Sequence, residues 1–342
     1  MKTVVEGRLD KNDSEYKVER HADPAEVLLE EQLETNAEPG LSRNTTSDVT
    51  ARPPLEETQK PKAQKLQAYL LKRKSNNAFW SARAVQYGKS LTATASTSWV
   101  RSASLRRLRN IVRPSDSTLE IGCGNASSLL GPLSEDCRTF GVDLTEEMLS
   151  VAKKHHVKIQ GLARADAREL PFKTASFDVV YTSRCLINLL DPEVQRMAIR
   201  EALRVTKPSG IVILIENFEE PVARMRRQGG DGTWDENNLL LSLRKTMHLC
   251  RELGWHPVRI HGNTLASFVA HSVVGRMPRG QRFVEWLLSP LCGALTRIED
   301  AFGRRLPLVG KDTMIAFSKS RKAMLSPLVT SNHPTTVERM SV

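Results

Sequence analysis

The chain has 342 residues, 40% of them apolar, a mean hydropathy of -0.36 and a formal net charge of +11 at pH 7. That balance fits a soluble globular protein built as one large domain, or as one domain with sizeable additions. Its longest apolar runs fall short of the roughly eighteen residues that would suggest a transmembrane helix.

The start, MKTVVEGRLDKNDSE, is soon acidic and lacks a long apolar core, so neither a signal peptide nor a mitochondrial presequence is expected. Five scattered cysteines, Cys123, Cys137, Cys185, Cys250 and Cys292, form no CxxC pair, and the histidines complete no zinc spacing. They read as thiols in a reducing, cytoplasmic compartment, and no metal site is expected. Residues 1–62 carry fourteen acids and nine bases, whereas residues 63–113 carry eleven Lys or Arg and no acid. The first segment reads as mostly disordered, with one acidic helix at 22–33. The second reads as a basic helical extension with Leu66, Tyr69 and Leu70 on one face. Its surface suits phosphate, anionic lipid or an acidic partner, or is simply a solvated helix face. Its aromatics Phe79, Trp80, Tyr87 and Trp99 are candidates for a cover over a site, or for anchors of the extension. Tyr87 precedes Gly88, which places a turn there.

From 114 onward strands and helices alternate. A strand at 117–122 meets the turn EIGCGNA, and Ala126, Ser127 and Ser128 open a helix over 126–133. A strand at 138–143 ends in FGVD, followed by a helix at 145–154 with Thr145 as N-cap, acids in its first turn and lysines in its last. A third strand is expected at 157–162, with a carboxylate loop at 164–171. FDVVY gives a fourth at 177–182. Asp191-Pro192 opens a helix over 191–204. EALRVTKPSG then ends that helix, turns, and delivers a fifth strand at 210–216. This βαβ rhythm implies a mostly parallel sheet covered on both faces. The loops after its first four strands then share one edge. The rhythm loosens beyond 220. A charged glycine-containing loop is expected at 224–232, a long amphipathic helix at 237–253, a strand at 256–261, an apolar helix at 283–298, a last strand at 312–318 and a polar tail at 320–342.

The ordered set EIGCGNA, VDLT, ADARELPF, FDVVY and LRVTKPSG resembles the class I S-adenosylmethionine-dependent methyltransferases, most closely those acting on small molecules. The likeness is firm over about residues 115–216. A nicotinamide dehydrogenase would share only the first two motifs. Two small residues depart from the pattern: Ala126, where the family often has glycine, and Ser209, where KPGG is common. The resemblance implies a Rossmann-like, seven-stranded methyltransferase sheet with helices on both faces, preceded by a helical N-terminal extension. It also implies a methyltransferase domain at 114–319, with 221–311 contributing to the acceptor site.

The resemblance further implies S-adenosyl-L-methionine as cofactor. Gly122, Cys123, Gly124 and Asn125 would wrap its methionine and ribose, with Glu120 ordering the turn. Asp143 lies twenty-one positions after Gly122, where an acid accepts from ribose hydroxyls. Leu144 would lie against adenine, Asp166 would accept from its exocyclic amine, and Ala167 would donate its N–H to the ring. Ser183 would face the methyl donor. Tyr87, Arg184 and Asn188 are acceptor-side candidates. Candidate bases are Glu216, Tyr181, His256, His261 and His271, none in a diagnostic constellation.

The expected function is in-line methyl transfer to O, N or C of a small molecule. YTSR replaces the NPPY-like turn that clamps a flipped base, and no Pro-Cys nucleophile serves a pyrimidine ring. No RNP sequence or zinc finger is present, so nucleic acid is disfavoured as partner. One alternative is an RNA or protein methyltransferase docking through residues 63–113. Another is a non-catalytic cofactor-binding scaffold. No transmembrane segment is expected. The stretch FVEWLLSPLCGAL would pack internally, line a hydrophobic acceptor pocket or touch a membrane peripherally.

Overall fold

The computed structural model describes residues 60–90, 93, 98–219, 238–262, 281–302 and 313–320. The expectations for residues 1–59, the loop at 224–232, His271 and the tail beyond 320 lie outside them, as do the side chains of Leu66, Tyr69 and Leu70.

Two helices precede the sheet, α1 (Lys60–Tyr87) and α2 (Ser98–Arg109). Next come β1 (Ser117–Ile121), the single turn α3 (Leu130–Leu133), β2 (Arg138–Asp143), α4 (Glu146–His155), β3 (Gly161–Arg164) and β4 (Phe177–Ser183). A 3₁₀ turn at Leu186–Asn188 leads to α5 (Pro192–Val205), β5 (Thr206–Glu216), α6 (Leu243–Glu252), β6 (His256–His261), α7 (Gln281–Phe302) and β7 (Thr313–Ser318). The seven strands form one sheet in the order β3-β2-β1-β4-β5-β7-β6. All neighbours from β3 to β5 are parallel, and β7 runs antiparallel to both β5 and β6. The chain reverses direction across the sheet between β3 and β4, so the β1/β4 boundary is a switch point where α/β proteins open a crevice.

Strict alternation builds the two layers. Val180, Val212, Leu214, Ile315 and Phe317 meet Ala198, Ile199, Ala202 and Leu203 of α5 on one face. Val179, Tyr181, Ile213, Ile215, Met314 and Ala316 meet Leu108 of α2 and Leu129 and Leu133 on the other. Burying a large aliphatic side chain contributes about 1.5–3 kcal/mol, so the period-2 pattern specifies register as well as stability. Asp191 caps α5, its Oδ1 accepting from Glu193 N at 2.7 Å and Val194 N at 3.2 Å, with Pro192 in the first turn.

Five sequence expectations need correction. Residues 126–129 are not helical: Ala126 has φ 58° and Ser127 N donates to Asn125 Oδ1, so the turn continues until Leu130. β3 lies later than expected, at Gly161–Arg164, because its register against β2 begins at Phe140–Gly161. No turn separates α5 from β5. The strand starts at Thr206 opposite Phe177, and Lys207–Gly210 are taken up as an irregularity before Ile211 meets Val179. α6 begins only at Leu243, since Ser242 caps it and Leu241 bridges Phe218. Thr145 stands at the N-cap of α4, but its hydroxyl donates to Asn77 Oδ1 instead of capping.

Candidate functional site

The carboxyl ends of β1, β2, β3 and β4 open into a cleft of about 990 Å³, its open mouth included. Its floor is the turn after β1. Gly122 and Cys123 both donate their N–H to Val142 O, at 2.8 and 3.0 Å, folding the turn back on β2. Gly122 has φ 73°, and a Cβ there would stand 2.3 Å from Cys185 Sγ. Only glycine fits both the left-handed backbone and that approach.

Asp143 ends β2 and locks the turn from below. Its Oδ2 accepts from Gly124 N at 2.8 Å and its Oδ1 from Thr145 N at 2.9 Å. Burial raises its pKa above the usual carboxylate range, and the two N–H bonds pull it back. Asp166 lies in the same cleft wall. Arg168 donates to it in a fork, Nη2 to Oδ2 at 2.8 Å and Nε to Oδ1 at 3.0 Å. Arg168 N donates to Oδ1 as well, at 2.8 Å, so the carboxylate is held by its own loop.

Residues far from the cleft hold its loops. Glu201 of α5 accepts Leu170 N at 2.8 Å, and Arg204 donates to Phe172 O at 2.8 Å and Leu170 O at 3.1 Å. Together they fix the loop that carries Asp166. Glu216, at the end of β5, accepts Cys185 N at 3.1 Å and Leu186 N at 3.2 Å and so sets the turn after β4. Burial pushes Glu216 up to about 7. Sequence reasoning missed Glu201 and Arg204 as positioning groups; their signal was an acid and a base three apart in the last turns of α5.

Of the residues expected at the cofactor, Gly122, Gly124, Asp143, Leu144, Asp166, Ala167 and Ser183 line the cleft, joined by the acceptor-side candidates Arg184 and Asn188. Glu120, Cys123, Asn125 and Tyr87 stand behind that wall. Glu120 is 2% exposed. Its Oε2 accepts the Tyr181 hydroxyl at 2.9 Å, and burial lifts its pKa to about 8. Asn125 donates through Nδ2 to Gly88 O at 2.8 Å and Ser90 O at 3.1 Å, tying the end of α1 to the turn. Tyr87 packs with Trp80, Ala84, Ala93 and Met148 beneath the Arg83 guanidinium, 4.7 Å from its ring.

The roof comes from α1. Asn76, Asn77 and Trp80 line the cleft, and Ser81 Oγ donates to Glu147 Oε2 at 2.9 Å to seat the helix on α4. Asn76 Nδ2 donates to Asn188 O at 2.8 Å, while its buried Oδ1 receives no hydrogen bond. Of the expected covering aromatics only Trp80 lines the cleft; Phe79 meets it edge-on at 5.2 Å. Trp99 instead packs with Val100 against Leu288, Cys292 and Leu295 of α7. That helix is held on α2 by Arg106 and Arg107, both paired with Asp300, and none of its described residues lines the cleft.

Among the candidate bases, Tyr181 and Glu216 are fully buried outside the cleft wall. His256 and His261 lie on β6, three strands from β4, with His261 Nδ1 3.6 Å from Asp300.

This region is similar to known proteins. The family described as "Methyltransferase domain" matches residues 119–214. Demethylmenaquinone methyltransferases of Bacillus mycoides (strain KBAB4) and Bacillus cereus (strain AH187) are each 34% identical over 123 residues, covering 34% of this chain and 51% of the relative. The chain thus spans about half the length of the curated relatives it matches. Similar solved structures include a SAM-dependent methyltransferase of Methanosarcina mazei (TM-score 0.39, 19% identity, 45% of this chain and 86% of that one). Another is a TehB-like SAM-dependent methyltransferase of Corynebacterium glutamicum (TM-score 0.43, 15% identity, 70% and 98%). The family match covers the stretch from β1 to β5 that carries the cleft, and the helix-flanked seven-stranded sheet has the Rossmann-like arrangement.

Proposed function

We propose that this protein transfers the methyl group of S-adenosylmethionine to a small-molecule acceptor by in-line displacement. The observation that carries the reading is the convergence of Asp143, Asp166, the Gly122–Gly124 turn and Ser183 on one cleft. These residues fit the cofactor. The turn brings bare main chain at Gly122 and Gly124 to the cleft wall, and two carboxylates face it from successive loops. Asp143 would hold the ribose hydroxyls, Asp166 and Ala167 the adenine edge, and Leu144 its face.

The bound cofactor supplies a methyl group activated by a positively charged sulfur. The chain's part is to hold donor and nucleophile collinear and to exclude water. Trp80 closes the cleft above, and its ring face suits a neighbouring cation. Asp143 and Asp166 are the only carboxylates in the described wall, and no histidine joins them. Both acids are engaged, so no side chain there is left as a strong base. Acceptors whose own nucleophile ionises readily, such as phenols, quinols, thiols or carboxylates, are therefore favoured. The curated relatives' names point the same way, towards a quinone-like ring.

Calorimetric titration with S-adenosylhomocysteine tests the cofactor half. Saturable binding that Asp143→Ala abolishes is expected, and unchanged affinity would overturn the site. Incubating the protein with methyl-labelled cofactor and organic-solvent or aqueous cell extracts tests the other half. Label in a small extractable product is expected. Label in RNA or protein would favour a polymer acceptor, and cofactor binding without any product would favour a non-catalytic subunit.

A further inference from the structure

We propose that helix α1 seats this protein on an anionic lipid surface, with its outer face against the headgroups and its inner face roofing the cleft. The docking stands on the faces of this helix. Its consequence, a lipid-soluble acceptor, rests on the methyl-transfer reading above.

α1 carries seven Lys or Arg and no acid over 28 residues. Six of the seven, Lys60, Lys62, Lys65, Lys72, Arg73 and Lys74, fall before Asn76. The seventh, Arg83, is engaged with Ala93 O at 2.8 Å and with the Phe79, Trp80 and Tyr87 rings. Among the described side chains of α1, Leu71, Lys74 and Ser75 are exposed, and Asn76 contacts the sheet domain.

The two faces of α1 separate cleanly at 100° per residue. Asn76, Asn77, Trp80 and Ala84 share the inner side, lining the cleft or packing on Met148. Leu71, Ser75, Ala78, Ala82 and Val85 recur at helical spacing on the opposite side, and all five are exposed. Leu71 is 64% exposed and Val85 80%, large values for aliphatic side chains on an ordered helix. Lys74 stands exposed beside this stripe.

An acid-free basic helix with an aliphatic stripe complements a membrane surface. By the same spacing Lys60 and Lys74 fall on or beside the stripe, where they gain most from the negative leaflet potential, while Lys62 and Arg73 fall on the inner side; short aliphatic side chains enter the headgroup boundary. Nucleic acid is a poorer match. The exposed large apolar side chains among the described residues are all Leu, Val, Met or Ile, none an aromatic platform for a stacked base. No helix among the described residues is long and apolar enough to cross a membrane, so the contact is with the surface.

Flotation of the full chain with lipid vesicles tests this. Binding is expected to vesicles of roughly one-third phosphatidylglycerol in phosphatidylcholine, not to phosphatidylcholine alone, and should weaken between roughly 0.1 and 0.5 M salt. Lys74→Glu should lower the affinity roughly 10- to 30-fold. The paired change Leu71→Ser, Val85→Ser should remove the salt-resistant remainder. Both variants should bind S-adenosylhomocysteine as the wild type does, which shows that they fold. Equal binding to both vesicle types, or variants that float like the wild type, would overturn the proposal. So would tight binding of single-stranded RNA without vesicle binding, or self-association that the paired change abolishes. Vesicle binding without cofactor affinity would overturn methyl transfer and leave the docking intact; the reverse would overturn the docking alone.

Discussion

The floor and the roof of the cleft are built on different principles. In the floor the key polar groups already have partners. Asp143 accepts two backbone N–H groups, and Glu120 takes the Tyr181 hydroxyl. The roof is held by side chains on α1, and one of its amide oxygens, Asn76 Oδ1, is buried without a donor. Backbone held by carboxylates gives a rigid platform, which suits a ligand common to a whole family. A helix laid across it through Asn76, Asn77 and Ser81 can differ from protein to protein without disturbing that platform.

Asp143→Ala should break the floor and produce the largest effect on cofactor affinity. Gly124 N and Thr145 N lose their acceptor, and on the proposed reading the cofactor ribose loses its partner. A loss of stability of about 2 kcal/mol and a fall in S-adenosylhomocysteine affinity of roughly 100-fold or more are expected, read by denaturant melts and calorimetry. Gly122→Ala should follow, since it combines a left-handed backbone with a Cβ 2.3 Å from Cys185 Sγ. A cost of about 2–3 kcal/mol is expected, with weakened cofactor binding.

A pH series sharpens the contrast further. Glu120 is raised to about 8 and Glu216 to about 7 by burial in the floor and its supports. Between the unfolded value near 4.5 and these folded values, the native state binds more protons than the unfolded chain. Their contribution to stability is therefore fully present below about 4.5 and is lost as pH rises towards 7 and 8. Glu120→Gln should raise the unfolding midpoint relative to wild type at pH 8.5, and the gain should shrink or reverse at pH 5.5. A gain that is the same at both pH values would mean that Glu120 does not hold a proton in the fold.

The smallest effect is expected in the roof. Asn76→Ala removes one hydrogen bond to Asn188 O together with the unpaired oxygen, and these oppose each other. Stability should change by less than about 1 kcal/mol, and S-adenosylhomocysteine affinity should stay within about threefold. A loss as large as that of Asp143→Ala would mean that roof and floor are one unit.

The same contrast explains what was legible in the sequence. Glycine at 122 and 124, an acid closing FGVD and another in ADA sit in short ordered motifs, so spacing together with the family resemblance located them. The Asp191-Pro192 cap and the alternation in β4, β5 and β7 were legible from local pattern. Asn76 was not, because a polar residue within a polar helix gives no local sign of which face is buried. Ala126 and the KPSG segment misled because sequence propensity favoured a helix start and a turn. Tertiary pairing imposed a longer turn in the first case and an irregular strand in the second.

The placement of β7 has a consequence for synthesis. It lies between β5 and β6, so β6 has no neighbour in the sheet until β7 arrives. On the ribosome, β1 to β5 can pair and close the cleft floor while later residues are still being added. At roughly 5–20 residues per second, some 100 residues separate the end of β5 from the end of β7. For roughly five to twenty seconds the nascent chain carries a finished cofactor platform beside an open edge at β5, a window in which a chaperone that shields strand edges would find its target.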